Sequence, residues 1–163
     1  MKIIVLVKQV PDSTEIRVDK VTGTLIRAGV PSIINPDDLA GVEAALQLKE
    51  EKGATVTIVT MGPPMAADML KELYARGVDE CILVTDRAFA GADTCATSST
   101  LAAVLEKTGY DLIIAGRQAI DGDTAQVGPQ TAERLGIPQV TYVDEIIDLT
   151  DTTVTVKKSL EDC

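Results

Sequence analysis

One stretch carries most of the chemistry this chain can offer: Gly116-Arg117-Gln118-Ala119-Ile120-Asp121-Gly122-Asp123-Thr124-Ala125-Gln126-Val127-Gly128-Pro129-Gln130-Thr131. Pro129 cannot sit deep inside a helix without breaking it. A helix is therefore expected to begin between Thr124 and Gly128, with its free amide groups at the loop. Such a helix mouth binds a phosphate without a lysine. Thr124, Gln126 and Thr131 add neutral donors, and Gly122 and Gly128 let the backbone come close to a ligand. Asp121 and Asp123 also suit an ordinary turn and cap. The loop's pattern alone leaves both readings open.

Other segments offer less. Asp86 to Thr97 (DRAFAGADTCAT) contains Gly91 and two helix-cap candidates, Asp93 and Thr94. It suits a plain N-cap, with Phe89 as a core aromatic, better than a ligand loop. Met61-Gly62-Pro63 fits a strand-to-helix turn. Arg117 suits either an anion or one of the many acidic side chains. Cys81 falls in an apolar run and is expected in the core, while Cys95 has no neighbouring base to activate it.

Composition closes several routes. There is no histidine, which excludes Ser-His-Asp and Cys-His catalysis and the usual zinc sites. A net charge of −10 provides no basic surplus to displace counterions from nucleic acid. One Phe, three Tyr and no Trp cannot build a stacking platform for single strands. The cysteines (Cys81, Cys95 and Cys163) are odd in number and form no CxxC pair, as expected in a reducing compartment. The early apolar run, Ile3 to Val7, is too short for a signal-peptide core or a membrane span. A cytoplasmic protein without membrane insertion is expected. The length, 163 residues, suits one domain over 1–163.

The elements that must position these residues follow from periodicity. Lys2 to Val10, Thr55 to Thr60, Cys81 to Thr85 and Asp111 to Ala115 are apolar, β-branched runs suited to strands covered on both faces. Ile16 to Lys20 and Thr24 to Arg27 alternate around Val21-Thr22-Gly23 and predict a small hairpin. Asn35-Pro36-Asp37-Asp38 opens a helix: Asn35 as cap, Pro36 in the first turn, and two acids at the positive dipole end. Leu39, Val42, Ala45 and Leu46 form its apolar face and Gly53 ends it. Further helices carry Ala66, Met69, Leu70 and Leu73, stopped by Gly77; Thr97, Leu101, Val104 and Leu105, stopped by Gly109; and the segment that ends near Leu135, before Gly136 and Pro138. Val140 to Ile147 and Thr152 to Lys158 alternate and predict a terminal antiparallel pair. Strands alternating with helices give an α/β fold, a doubly wound, mostly parallel sheet with helices on both faces. Ligands of such sheets lie at the carboxyl edge, where the strand order reverses. Neither GxGxxG after the first strand nor GxxxxGK[ST] is present.

The chain resembles the beta subunit of electron-transfer flavoprotein. The likeness rests on Val7-Lys8-Gln9-Val10-Pro11-Asp12, on Asn35-Pro36-Asp37-Asp38 followed by Glu43 to Glu50 (EAALQLKE), on Met61-Gly62-Pro63 and, most specifically, on Gly116 to Pro129. It implies a Rossmann-like, adenine nucleotide alpha hydrolase-like layout and a heterodimer with an alpha subunit that carries FAD. It also implies a nucleotide at the edge described above: AMP in ordinary members, a second FAD oxidising NADH in electron-bifurcating ones. Asp86 to Thr94 and Asp121 to Pro129 lean towards the bifurcating type, since AMP-type members tend to carry Asn-Gln-Thr-Gly where this chain has Ala125-Gln126-Val127-Gly128. By the same likeness the nucleotide contacts are Leu6, Asn35, Pro36, Asp37, Asp38, Met61, Asp121, Gly122, Asp123, Thr124, Ala125, Gln126, Val127, Gly128, Gln130 and Thr131, joined by Thr94 and Thr97 if a flavin is bound. Implied partners are an acyl-CoA-type or other flavin dehydrogenase and a low-potential acceptor such as ferredoxin or flavodoxin. Family members are longer, with a C-terminal segment that embraces the alpha subunit. Lys157 to Cys163 resembles the opening of a further motif, so a fragment or truncated product is expected. The competing class is a stand-alone nucleotide-binding stress-type module, which leaves Met61-Gly62-Pro63 and the Gln118 to Pro129 pattern without an explanation.

Overall fold

In the computed structural model the described residues are 1–12, 17–18, 25–26 and 31–160. Four strands form a parallel sheet: β1 (Lys2–Leu6), then, further along the chain, β6 (Thr55–Met61), β7 (Glu80–Val84) and β8 (Leu112–Ala115), in the order β7-β6-β1-β8. Val5 lies beside Ile58 on one side and Ile114 on the other. The chain builds outwards from β1 through β6 to β7, then returns to place β8 on the free side of β1. The reversal of strand order therefore falls between β1 and β8, the position at which open α/β sheets bind ligands.

The period-two alternation of β1 builds two cores. Ile3, Val5 and Val7 pack with Val56 and Ile58 of β6, with Val42, Ala45 and Leu48 of α1 (Pro36–Lys52), and with Met69, Leu70 and Leu73 of α2 (Ala67–Ala75). Ile4 and Leu6 pack with Val59, with Leu101 and Leu105 of α3 (Thr94–Thr108), and with Val127 and Leu135 of α4 (Val127–Leu135). Both sheet faces are thus covered, as continuous apolar strands require. Gly53 ends α1 in the left-handed region at φ 67°, its amide donating to the Lys49 carbonyl at 2.9 Å.

Several boundaries differ from expectation. The first strand leaves the sheet at Leu6 rather than continuing to Val10. The Val7 amide still reaches the Val59 carbonyl (3.0 Å), but the Lys8 amide is taken by Asp38 Oδ2 (2.8 Å) and the Lys8 carbonyl by the Asn35 amide (3.0 Å). The chain is so diverted to the start of α1, and β2 (Gln9–Pro11) pairs antiparallel with β5 (Ser32–Ile34), a strand too short to show a period. The expected hairpin is present as β3 (Arg17–Val18) against β4 (Leu25–Ile26). Ile16, Asp19 to Thr24 and Arg27 lie outside the described residues, as does Cys163. The terminal pair forms from β9 (Val143–Leu149) and β10 (Val154–Lys158). It starts later than Val140 because Tyr142 adopts φ 57°, which interrupts extended backbone. Leu149 anchors this ribbon in the core beside α1, and Val140, Tyr142 and Ile147 are exposed. Phe89 is half-buried in a short 3-10 turn, Arg87–Phe89.

Candidate functional site

At the gap between the carboxyl ends of β1 and β8 three chain segments meet: the exit of β1, the start of α1, and the loop after β8. Asp38 joins them. Its carboxylate accepts from the Lys8 amide and from the Gly116 amide, one beyond each of the two strands. The side chain is buried, and burial is the main reason that its pKa rises to about 6; Asp37 adds to the rise, while the Lys8, Asn35 and Gly116 hydrogen bonds oppose it. Gly116 is packed so tightly on this carboxylate that an added Cβ would overlap Asp38 Oδ1 and lie 2.8 Å from the Asp38 nitrogen. Glycine is needed there for close approach.

Asn35 performs a second tie. It stands at the N-cap position of α1, yet its side chain makes no cap hydrogen bond. The amide instead turns to the loop: Nδ2 donates to the Gln118 carbonyl (2.8 Å), and Oδ1 accepts from the Ile120 amide (3.1 Å). The expected side-chain cap is therefore absent. A fully buried carboxamide gains more by satisfying two half-buried backbone groups than by capping one helix amide. Pro36 and Asp37 follow in the first turn, and Asp37 Oδ2 lies 3.5 Å from Arg117 Nε, so Arg117 faces an acid of α1.

The rest of the loop is held by its own carboxylates. Lys8 Nζ contacts Asp121 at 2.7 and 2.9 Å, and Gln118 Nε2 donates to Asp123 Oδ1 at 3.1 Å. The Gly122 and Asp123 amides both return to the Ala119 carbonyl. Asp123 (φ 49°) and Ala125 (φ 53°) occupy the left-handed region, a strained conformation for non-glycine residues. Thr124 is exposed at the tip. Helix α4 then starts at Val127, inside the expected range, with Gln126 at its N-cap. The Val127 and Gly128 amides lie in the first turn, where no intrahelical carbonyl reaches them. A Cβ on Gly128 would lie 3.3 Å from the Ala115 Cβ, which seats the helix mouth on the end of β8.

Not every expected residue points to this edge. Leu6 is buried in the α3-side core, and Met61 packs against the same cluster. Thr131 is buried and its hydroxyl donates back to the Val127 carbonyl at 2.7 Å, so it is spent inside α4. Asp93 caps α3 by accepting from the Ala96 amide at 2.8 Å, and Thr97 sits one turn into that helix. Thr94 Oγ1 meets both Gln126 and Gln130 across the α3–α4 seam, donating to Gln126 Oε1 and accepting from Gln130 Nε2. Ser98 and Arg134, which the sequence reading passed over, belong to the same seam: Ser98 is fully buried and accepts from Arg134 Nε at 2.9 Å. Burial pushes the Cys81 thiol up to about 11, in keeping with a structural rather than reactive cysteine.

Residues 22–163 match the electron transfer flavoprotein domain. The chain belongs to this family. It is 59% identical over 162 residues to the electron transfer flavoprotein subunit beta of Clostridium acetobutylicum, covering 99% of this chain and 62% of that protein. It is 56% identical over 164 residues to the caffeyl-CoA reductase-Etf complex subunit CarD of Acetobacterium woodii, again 99% of this chain and 62% of the relative. The FixA protein of Azotobacter vinelandii is 53% identical over 165 residues, with 99% and 57% covered. The chain thus spans less than two thirds of the length of these relatives. Electron transfer is the role the family carries, and the parallel sheet with a helix mouth at its switch point is the layout expected of it. Among the described residues no helix is long and apolar enough to cross a membrane.

Proposed function

We propose that residues 1–163 act as one nucleotide-binding unit of a beta-type electron-transfer flavoprotein subunit, holding an FAD at the β1–β8 edge. The observation that carries this reading is the donor set there. The two loop carboxylates are engaged by Lys8 and Gln118, which leaves the first-turn amides of α4 and the exposed Thr124 hydroxyl as donors for a pyrophosphate. A Cβ at Gly122 would meet nothing within 4 Å, so the loop tip has room for a guest. The same donors fit the single phosphate of AMP. FAD is preferred because the CarD relative and the acryloyl-CoA reductase electron transfer subunit gamma of Anaerotignum propionicum, 53% identical, are named as parts of reductase systems.

A flavin bound there supplies hydride acceptance from NADH and the division of an electron pair into single electrons. The chain's own residues position it: Asp38 and Asn35 hold the loop against α1, Gly116 permits that approach, and the α4 mouth fixes the phosphates. Partners under this reading are an alpha subunit carrying its own FAD, an acyl-CoA-type or other flavin dehydrogenase, and a low-potential acceptor such as ferredoxin or flavodoxin, all in the bacterial cytoplasm. The test is to co-express the full subunit with its alpha partner, denature the purified complex and identify what is released. Two FAD per heterodimer is the expected result. One FAD and one AMP would make the subunit a structural AMP carrier, and absence of both from this edge would overturn the reading.

A further inference from the structure

Beside the apolar contacts of Leu101, Leu105, Val127 and Leu135, the seam between α3 and α4 carries a run of polar side chains. Thr94 and Ser98 on α3 are spaced by one helical turn, as are Gln126, Gln130 and Arg134 along the start and body of α4. They interlock. Arg134 Nε lies 2.9 Å from Ser98 Oγ, Ser98 Oγ lies 3.1 Å from Gln130 Oε1, Gln130 Nε2 lies 3.4 Å from Thr94 Oγ1, and Thr94 Oγ1 lies 2.9 Å from Gln126 Oε1. Arg134 Nη2 also reaches the carbonyl (3.3 Å) and sulfur (3.1 Å) of Cys95.

We propose that Arg134 is a positioning residue that sets the direction of this hydrogen-bond chain, so that Gln126 presents its amide nitrogen and not its oxygen beside the mouth of α4. An arginine can only donate. Ser98 Oγ accepts from it, and its own single proton passes on to Gln130 Oε1. The Cys95 carbonyl at 3.0 Å competes for that proton but already accepts from Arg134 Nη2, whereas among the described residues Gln130 Oε1 has no donor other than Ser98. With its oxygen turned to Ser98, Gln130 must turn its NH2 group to Thr94. Thr94 Oγ1 accepts that proton and gives its own to Gln126 Oε1. Both carboxamides are thereby oriented from one part-buried contact of an otherwise exposed arginine, and each bond polarises the next. The Gln126 NH2 that remains is a donor suited to a phosphate oxygen. That last step rests on the nucleotide reading above; the direction of the chain does not.

Two measurements separate them. Side-chain amide exchange by NMR on the full chain is expected to show Gln130 NH2 protected and Gln126 NH2 freely exchanging. Arg134→Met is expected to bring the two to similar rates, and Arg134→Lys, which keeps a donor-only cation, to restore part of the difference. Protection of Gln126 with Gln130 free would overturn the proposal. Titration with AMP and with adenosine is the second measurement. Loss of one donor to a charged phosphate predicts about tenfold weaker AMP binding in Arg134→Met, with adenosine within about twofold. Equal weakening of both would mean that Arg134 only supports the fold, which also overturns the proposal. Should Arg134→Met fail to fold, Ser98→Ala breaks the same chain and carries both measurements. If the exchange pattern holds while the wild-type chain binds neither AMP nor adenosine nor FAD, the chain's direction stands and the nucleotide reading falls.

Discussion

Replacing Gly116 with alanine tests the geometry at the switch point most directly. The new Cβ would overlap Asp38 Oδ1, and it would sit 2.8 Å from the Asp38 nitrogen and 2.9 Å from the Asp37 carbonyl carbon. Two of these three neighbours are backbone atoms in the first turn of α1, so no side-chain rotation relieves the overlap. The loop or the helix start must shift. Either shift pulls Asp38 from the Lys8 and Gly116 amides, and each hydrogen bond to a charged group contributes about 1.5–3 kcal/mol. The expected loss is about 3–5 kcal/mol, in the range that marks a specific structural lesion. For a chain of this size that lowers the melting temperature by about 6–20 °C. Gly122→Ala is the control: its Cβ meets nothing within 4 Å, so a change within about 0.5 kcal/mol is expected. Urea unfolding of the two variants, followed by circular dichroism, makes the comparison. A Gly116→Ala protein as stable as Gly122→Ala would refute the placement of Gly116 against α1.

Three further outcomes follow from the same structure. The Asp38 pKa, raised from 3.8 to about 6, means that the native state holds this proton more tightly than the unfolded chain. The contribution of Asp38 to stability is therefore greatest below pH 4 and falls by about 3 kcal/mol as pH rises through about 6. In urea unfolding, wild type should lose most of that amount relative to Asp38→Asn between pH 4 and pH 7; a constant difference would refute it. Asn35→Ala leaves the Gln118 carbonyl and the Ile120 amide without their partner. It should cost about 2–3 kcal/mol and raise the exchange rate of the Ile120 amide by hydrogen-exchange NMR. Thr60 is buried on the sheet with a hydroxyl that finds no hydrogen-bond partner among the described residues. Thr60→Val should raise stability by about 1 kcal/mol in thermal melts, since it removes an unsatisfied polar atom at nearly constant shape.

Much of this site was legible in the sequence because it depends on local rules. Pro36 and Pro129 mark two helix starts, Gly53 marks an end, and the apolar runs mark the strands that bring Leu6 and Ala115 side by side. What local rules could not show is where a side chain turns once distant segments meet. Asn35 fits a cap on sequence, and only the loop 83 residues away makes it a tie. Asp38 fits a solvated acid near a helix dipole until Gly116 arrives to bury it. The β2–β5 pair is too short to have a period. Ser98 and Arg134 did leave a signal: polar residues one turn apart on two successive helices, which on an otherwise apolar interface point to a shared seam.

The ties between α1 and the loop after β8 also bear on the order of assembly. Lys8 and Asp121 are 113 residues apart, and Asn35 and Ile120 are 85 apart. Contacts of such separation close late, because most of the chain must already be ordered before they can form. A guest that needs all three segments has little to grip in the folding transition state. It should act as a latch on the finished molecule, slowing its opening many-fold and leaving the rate of its formation almost unchanged.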